Sequence, residues 1–210
     1  MNNFSVGMAL FDFIPVIFFA IGSIILLRDL YNKMSKGAFA LFAAGVIDVT
    51  MAGALKATWK LLYASGSCDF APLNAMFFPL QSIGFLLAGI AIIAMLCFNQ
   101  KEKTYAFAAI PPVFKGTFVF VGLMIAGLGL MDAGLCVISK KLKKPLAIIV
   151  FVISFICCLG MGYLSSKDFE KASMNWIAEG VNFCGQGLFL LGTWMLHKAG
   201  LSELKLEKDN

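Results

Sequence analysis

The chain has 210 residues, 60% of them hydrophobic and only 14% charged, with a formal net charge of +5. A soluble globular domain carries roughly 25% charged residues, so the composition excludes a water-soluble enzyme and indicates a chain embedded in lipid. The positive charge is a membrane signature rather than a nucleic-acid footprint, because its lysines cluster between apolar runs.

The first run, "FIPVIFFAIGSIILL" (13–27), is preceded by Asp12 and by no basic residue. It therefore reads as a first span rather than a cleavable signal. Basic residues follow it in "LLRDLYNKMSK", which places that loop inside and the N-terminus outside. Six spans are then expected, at about 8–28, 37–62, 73–98, 117–139, 145–164 and 172–197, each near the ~20 residues that cross hydrocarbon. With six spans, Lys and Arg divide eight to nine between the two sides, which the positive-inside tendency disfavours. If "TYAFAAIPPVFKG" (104–116) also crosses, the division becomes twelve inside to five outside.

Seven spans are therefore the expected topology, N-terminus out and C-terminus in, with six as the alternative. The whole chain, 1–210, reads as one integral membrane domain. A first three-helix half (8–98) and a short connector span broken by Pro111-Pro112 (104–116) precede a second half (117–197) and a solvated cytoplasmic tail (199–210). Trp59, Tyr63, Tyr163 and Trp176 fall at the proposed outer ends, and Tyr31, Tyr105 and Trp194 at the inner ends, where amphipathic rings belong.

The halves echo each other. "YASGSCDF" (63–70) resembles "YLSSKDF" (163–169), "GFLLAG" (84–89) resembles "GLFLLG" (187–192), and Asn74/Gln81 share a spacing of seven with Asn175/Asn182. A duplication of this kind makes two bundles of like orientation around a connector, a parallel repeat. That arrangement resembles the architecture of sugar-efflux and PQ-loop transporters and of nicotinamide riboside carriers. The resemblance is one of architecture alone, since "PLQ" at 79–81 is not the PQ motif and lies in the third span.

The last span, "EGVNFCGQGLF" within it, carries polar groups in a setting of lipid-compatible residues. On a helix, Asn175, Glu179, Asn182 and Gln186 fall within an arc of about 60°, continued by Thr193 and His197. Polar and ionisable side chains at hydrocarbon depth face a bundle interior or a wet cavity. Glu179 and Lys56 lie at similar depth and are expected to pair across one outer-half cavity, floored by Asn182, Gln186, Gln81 and Asp48. These six are the candidate solute-binding residues. For each amide the alternative is interhelical packing glue. Lys60 is expected to snorkel to the interface, Asp12 to be hydrated, Asp132 to lie about two turns from the inner end, and His197 and Lys198 to sit in water.

No HExxH, GxSxG or Walker sequence occurs, and a single histidine excludes bis-histidine haem and multi-histidine zinc sites. No cofactor is expected, and an enzyme is the less favoured class. Six cysteines form no CxxC and imply no disulfide framework, and sixteen lysines to one arginine suggest an AT-rich bacterial genome. The favoured reading is a small-solute transporter or facilitator of the cytoplasmic membrane. Its partners would be the lipid bilayer and a small polar solute, with a homo-oligomer or a partner subunit left open. The alternatives are an accessory, sensory or assembly subunit, and a lipid-active enzyme.

Overall fold

A computed structural model describes residues 5–97, 117–164 and 172–205, and the proposed connector span 104–116 lies outside them. Among the described residues every regular element is helical: α1 (Val6–Phe11), α2 (Phe13–Leu30), α3 (Lys36–Ala64), α4 (Ala71–Ala75), α5 (Phe77–Cys97), α6 (Thr117–Lys141), α7 (Pro145–Leu164) and α8 (Ala172–Lys198). Four stretches are long and apolar enough to cross a membrane: Val6–Leu30, Lys36–Ala64, Ala71–Cys97 and Val119–Lys141. α7 is twenty residues long and apolar throughout its sequence. α8 is as long as the others, but Asn175, Glu179, Asn182 and Gln186 dilute its apolar character.

Two of these stretches are broken in the same way. Pro15 is the third residue of α2 and Pro79 the third of α5. A proline supplies no N–H to the carbonyl four residues back and its ring clashes with it. The helices preceding them accordingly end four residues earlier, at Phe11 and Ala75, and Asp12 and Met76 form the intervening turns. Other ends have local causes as well. The Ser35 hydroxyl accepts from Ala38 N–H at 3.2 Å to start α3, and Pro145 occupies the first position of α7, where it needs no N–H partner.

Neighbouring helices form a closed ring in the order α2, α3, α5, α6, α7, α8, with α8 returning to α2. Glycines set the closest crossings. A Cβ on Gly45 would come within 2.5 Å of the Gly84 carbonyl oxygen, and one on Gly127 within 2.3 Å of the Leu86 backbone nitrogen. Those backbones touch only because neither residue has a side chain.

The contacts also fix direction. Gly45 meets Gly84 and Ala88 while Gly84 meets Val49, so α3 and α5 are antiparallel. Gly127 meets Leu86 and Gly134 meets Ile92 and Leu96, so α5 and α6 are parallel neighbours. The same holds for α2 and α8, which pair Phe18 with Phe183 and Asp29 with His197, while Phe11 at the end of α1 meets Trp176. α7 runs antiparallel to both α6 and α8, with Gly129 against Phe155, Cys136 against Ile148 and Gly192 against Phe151.

Phe19, Phe85, Phe151 and Phe189 meet in the middle of the ring, with Phe19 stacked on Phe189 at 5.2 Å and edge-on to Phe85 at 5.7 Å. Outward faces are apolar. Ile24 is 64% exposed, Leu146 60% and Ile156 57%, and the pattern repeats on every long helix. In water such surface would drive aggregation, and in a bilayer it is the ordinary lipid contact. The chain thus has the helices of a membrane protein.

One end of the ring is closed by the segment after α8. Gly200 takes a left-handed φ of 83°, which a glycine adopts without penalty, and turns the chain back. Leu201 is then fully buried and Leu204 packs on the core, while Lys33 Nζ donates to the Leu204 carbonyl. Below them Asp29, buried, contacts His197 Nδ1 at 2.8 Å, and Arg28 reaches both. The expected solvated tail is corrected at Leu201 and Leu204, and the expected water-exposed His197 is half-buried, whereas Lys198, Ser202 and Glu203 are exposed as expected. Leucines at 201 and 204 have apolar surface to bury, and the α2–α8 crossing puts Asp29 beside the histidine.

Candidate functional site

At the opposite end, the ring opens into a cavity of about 110 Å³, with a wall from each of the six ring helices. Lys56 and Gln81 enter it from α3 and α5, and Glu179, Asn182 and Gln186 from α8. The α8 residues come together because the spacings 3 and 4 keep them on one helical face. Phe19, Phe77, Phe78 and Phe85 supply aromatic walls, and Met124, Leu128, Cys158 and Met161 complete it from α6 and α7.

Of the six candidate residues, five line this cavity and Asp48 does not. On α3, Asp48 is rotated about 80° from Lys56, on the side away from Lys60 and Gly53, which do line it. Asp48 is half-buried against other neighbours.

The charge pairing differs from the sequence expectation. Glu179 accepts a hydrogen bond from Lys60 rather than from Lys56. The same ammonium lies 2.9 Å from Asp12 Oδ2. Lys60 does not snorkel: its side chain is only 9% exposed, against 9% for Asp12 and 4% for Glu179. Asp12 is therefore not hydrated either. The break before α2 carries its carboxylate inward, where α3 and α8 bring Lys60 and Glu179. One lysine thus ties three helices together at the cavity edge. Depth alone could not choose between Lys56 and Lys60, which are one turn apart; helix rotation chose.

Among the described residues, Lys56 has no carboxylate in direct contact. Its ammonium sits 4.0 Å from the centroid of the Phe77 ring, a cation–π contact. Glu179 Oε2 is buried and accepts no hydrogen bond among the described residues. Gln186 Nε2 points to Cys158 Sγ at 3.8 Å, a weak contact. The amides of Gln81 and Asn182 share this chamber with the Lys56 ammonium and the ring faces. Such a set can hold a small polar solute by hydrogen bonds to amides, one cationic group and flat apolar walls.

The far side of the chamber is shut. Below Phe19, Phe85 and Leu128 the ring interior is filled by Leu26, Ile92, Met131 and Leu135, all fully buried. Sequence reasoning missed Asp12 as a site residue, and the signal was there: a lone carboxylate three residues before a proline, in a chain with a buried lysine to match. No protein-family model, curated protein or solved structure matches this chain.

Proposed function

We propose that the protein is a multi-pass carrier of a small polar solute in the cytoplasmic membrane, with the central cavity as its outward-facing solute site. The observation that carries this reading is the cavity itself. It is walled by all six ring helices, is underlain by buried Leu26, Ile92, Met131 and Leu135, and combines amides, an ammonium and aromatic faces at a depth where a purely structural bundle would be packed with aliphatic residues.

The same geometry supports seven spans. α5 and α6 are parallel, and Leu86 lies level with Gly127. Cys97 and Thr117 are then about 30 Å apart along the bundle, near the thickness of the hydrocarbon core. Nineteen residues separate them in the sequence, which favours a further crossing between α5 and α6. An antiparallel α5–α6 pair would have supported six spans. The twelve-to-five lysine and arginine division supports N-terminus out and C-terminus in, which makes the cavity end extracytoplasmic.

The internal repeat is supported by ring order. Pairing α2, α3, α5 with α6, α7, α8 makes α5–α6 and α8–α2 equivalent half-to-half contacts, and both are parallel. Gly22 meets Phe189 and Leu190 in one, as Gly127 meets Phe85 and Leu86 in the other.

The test is a thermal-shift screen of the purified full chain against small polar solutes, followed by counterflow of any stabilising solute in proteoliposomes. A solute at 100 times its Kd stabilises by about 2.7 kcal/mol. The expected result is a stabilising solute whose effect and counterflow are both lost in Asn182→Ala/Gln186→Ala. A solute that stabilises the double variant as well, or that shows no counterflow, contradicts the reading.

A further inference from the structure

Directly beneath the cavity lies a carboxylate that neither the solute site nor the Lys60 cluster uses. Asp132 on α6 is 4% exposed, and neither of its oxygens has a hydrogen-bond partner among the described residues. Ser23 on α2 is 2% exposed, and its hydroxyl is equally unpartnered. Both face the ring interior. Ser23 is flanked one turn away on each side by Phe19 and Leu26, and Asp132 by Leu128 and Leu135, all four in the central core. Phe19 and Leu128 are also cavity walls. Each polar group therefore sits one turn below the chamber. The Phe19–Phe85 and Gly89–Leu130 contacts put Ser23 and Asp132 at levels within about 3 Å of each other, on helices that stand opposite in the ring.

The surroundings select the chemistry. α5 presents Ala88, Gly89, Ala91 and Ile92 at this level, all buried and none titratable. Among the described residues, the titratable groups close enough to feel Asp132 are thiols, Cys136 on its own helix and Cys158 on α7. No lysine or arginine balances it there among the described residues. A metal cation would need several further oxygen ligands, and helix hydrogen bonding already occupies the local carbonyls. A proton needs only the carboxylate. An ionised, unpaired carboxylate in a dry site is costly, whereas the neutral acid is tolerated.

We propose that Asp132 is a proton-binding site that couples movement of solute through the cavity to movement of a proton. With the cavity open, water reaching past Phe19 and Leu128 delivers a proton to the carboxylate, giving a neutral carboxylic acid that can remain dry. When the bundle opens at the Asp29 end, the acid returns that proton to water there and becomes a carboxylate again, with Ser23 the hydroxyl at its level. This rests on the transport reading of the cavity above.

Two measurements on the full chain in nanodiscs test it. Infrared pH titration should show a protonated-carboxyl C=O band that is lost in Asp132→Asn and retained in Asp132→Glu. A cavity reporter, Met161→Cys with the native cysteines replaced by serine, should label with an impermeant thiol reagent at a rate that changes severalfold with pH, after normalisation to a free thiol. That pH dependence should vanish in Asp132→Asn and return in Asp132→Glu. A band that survives Asp132→Asn, or the same pH profile with and without the carboxyl, overturns the proposal. A labelled cavity with a flat pH profile would do so while leaving the transport reading intact. Loss of counterflow with the band and pH profile as expected would instead remove transport and keep the proton site.

Discussion

At the scale of single residues, Lys60 holds the cavity edge together. Two carboxylates from different helices converge on its ammonium, and all three side chains are nearly dry. Removing one partner of a buried ion pair costs about 3–5 kcal/mol because the other charge is stranded. Lys60→Met should accordingly destabilise the chain by about that much, and adding Asp12→Asn and Glu179→Gln should recover a large part of the loss. Lys56→Met, which loses only a ring contact, should cost about 1 kcal/mol. Thermal unfolding of the four variants in a cycle reads the coupling directly; additive effects would show that the three groups do not share one site. The sequence exposed the polar stripe of α8 because 3.6-residue periodicity is a one-helix property. It did not expose which lysine meets Glu179, or that Asp12 joins them, because those depend on how α2 and α3 are rotated within the ring.

Whole elements were far more legible. Each of the six long apolar runs is helical in the structure, two of them with a break, and their outer ends lie within about two residues of those expected. Hydrocarbon length and charge placement constrain a span from within its own sequence, so little else is needed. The breaks at Asp12 and Met76 were also written locally, in Pro15 and Pro79. Helix contacts were not, since a glycine in an apolar run does not say which neighbour it admits. The structure separates these glycines. A methyl on Gly127 would strike the α5 backbone, whereas one on Gly122 meets nothing within 4 Å. Gly127→Ala is expected to cost about 1–3 kcal/mol by overpacking, and Gly122→Ala to be neutral or stabilising by about 0.5–1 kcal/mol. Denaturation midpoints of the two variants check this. Equal effects would mean that α5 and α6 do not cross at Gly127.

For the molecule as a whole, the ring of helices and the direction of each neighbour decide what the chain can do. The α5–α6 and α8–α2 contacts are parallel and the other ring contacts with a fixed direction are antiparallel, and the cavity lies at one end of the interior. At the other end Leu201, Leu204 and the Asp29–His197 contact close it. The order of helices around the ring was not legible in the sequence, because which helix packs on which depends on close crossings such as Gly45 on Gly84 rather than on any one apolar run. The central claim is that the cavity opens to the outside of the cell as a solute path. Cys158 lines it, and with Cys68, Cys97, Cys136, Cys157 and Cys184 replaced by serine it becomes the sole thiol. An impermeant thiol reagent added to intact cells should then label Cys158, and the solute found by the thermal-shift screen should slow that labelling. Labelling only after the cytoplasmic face is exposed, or labelling that the solute leaves unchanged, would contradict the account.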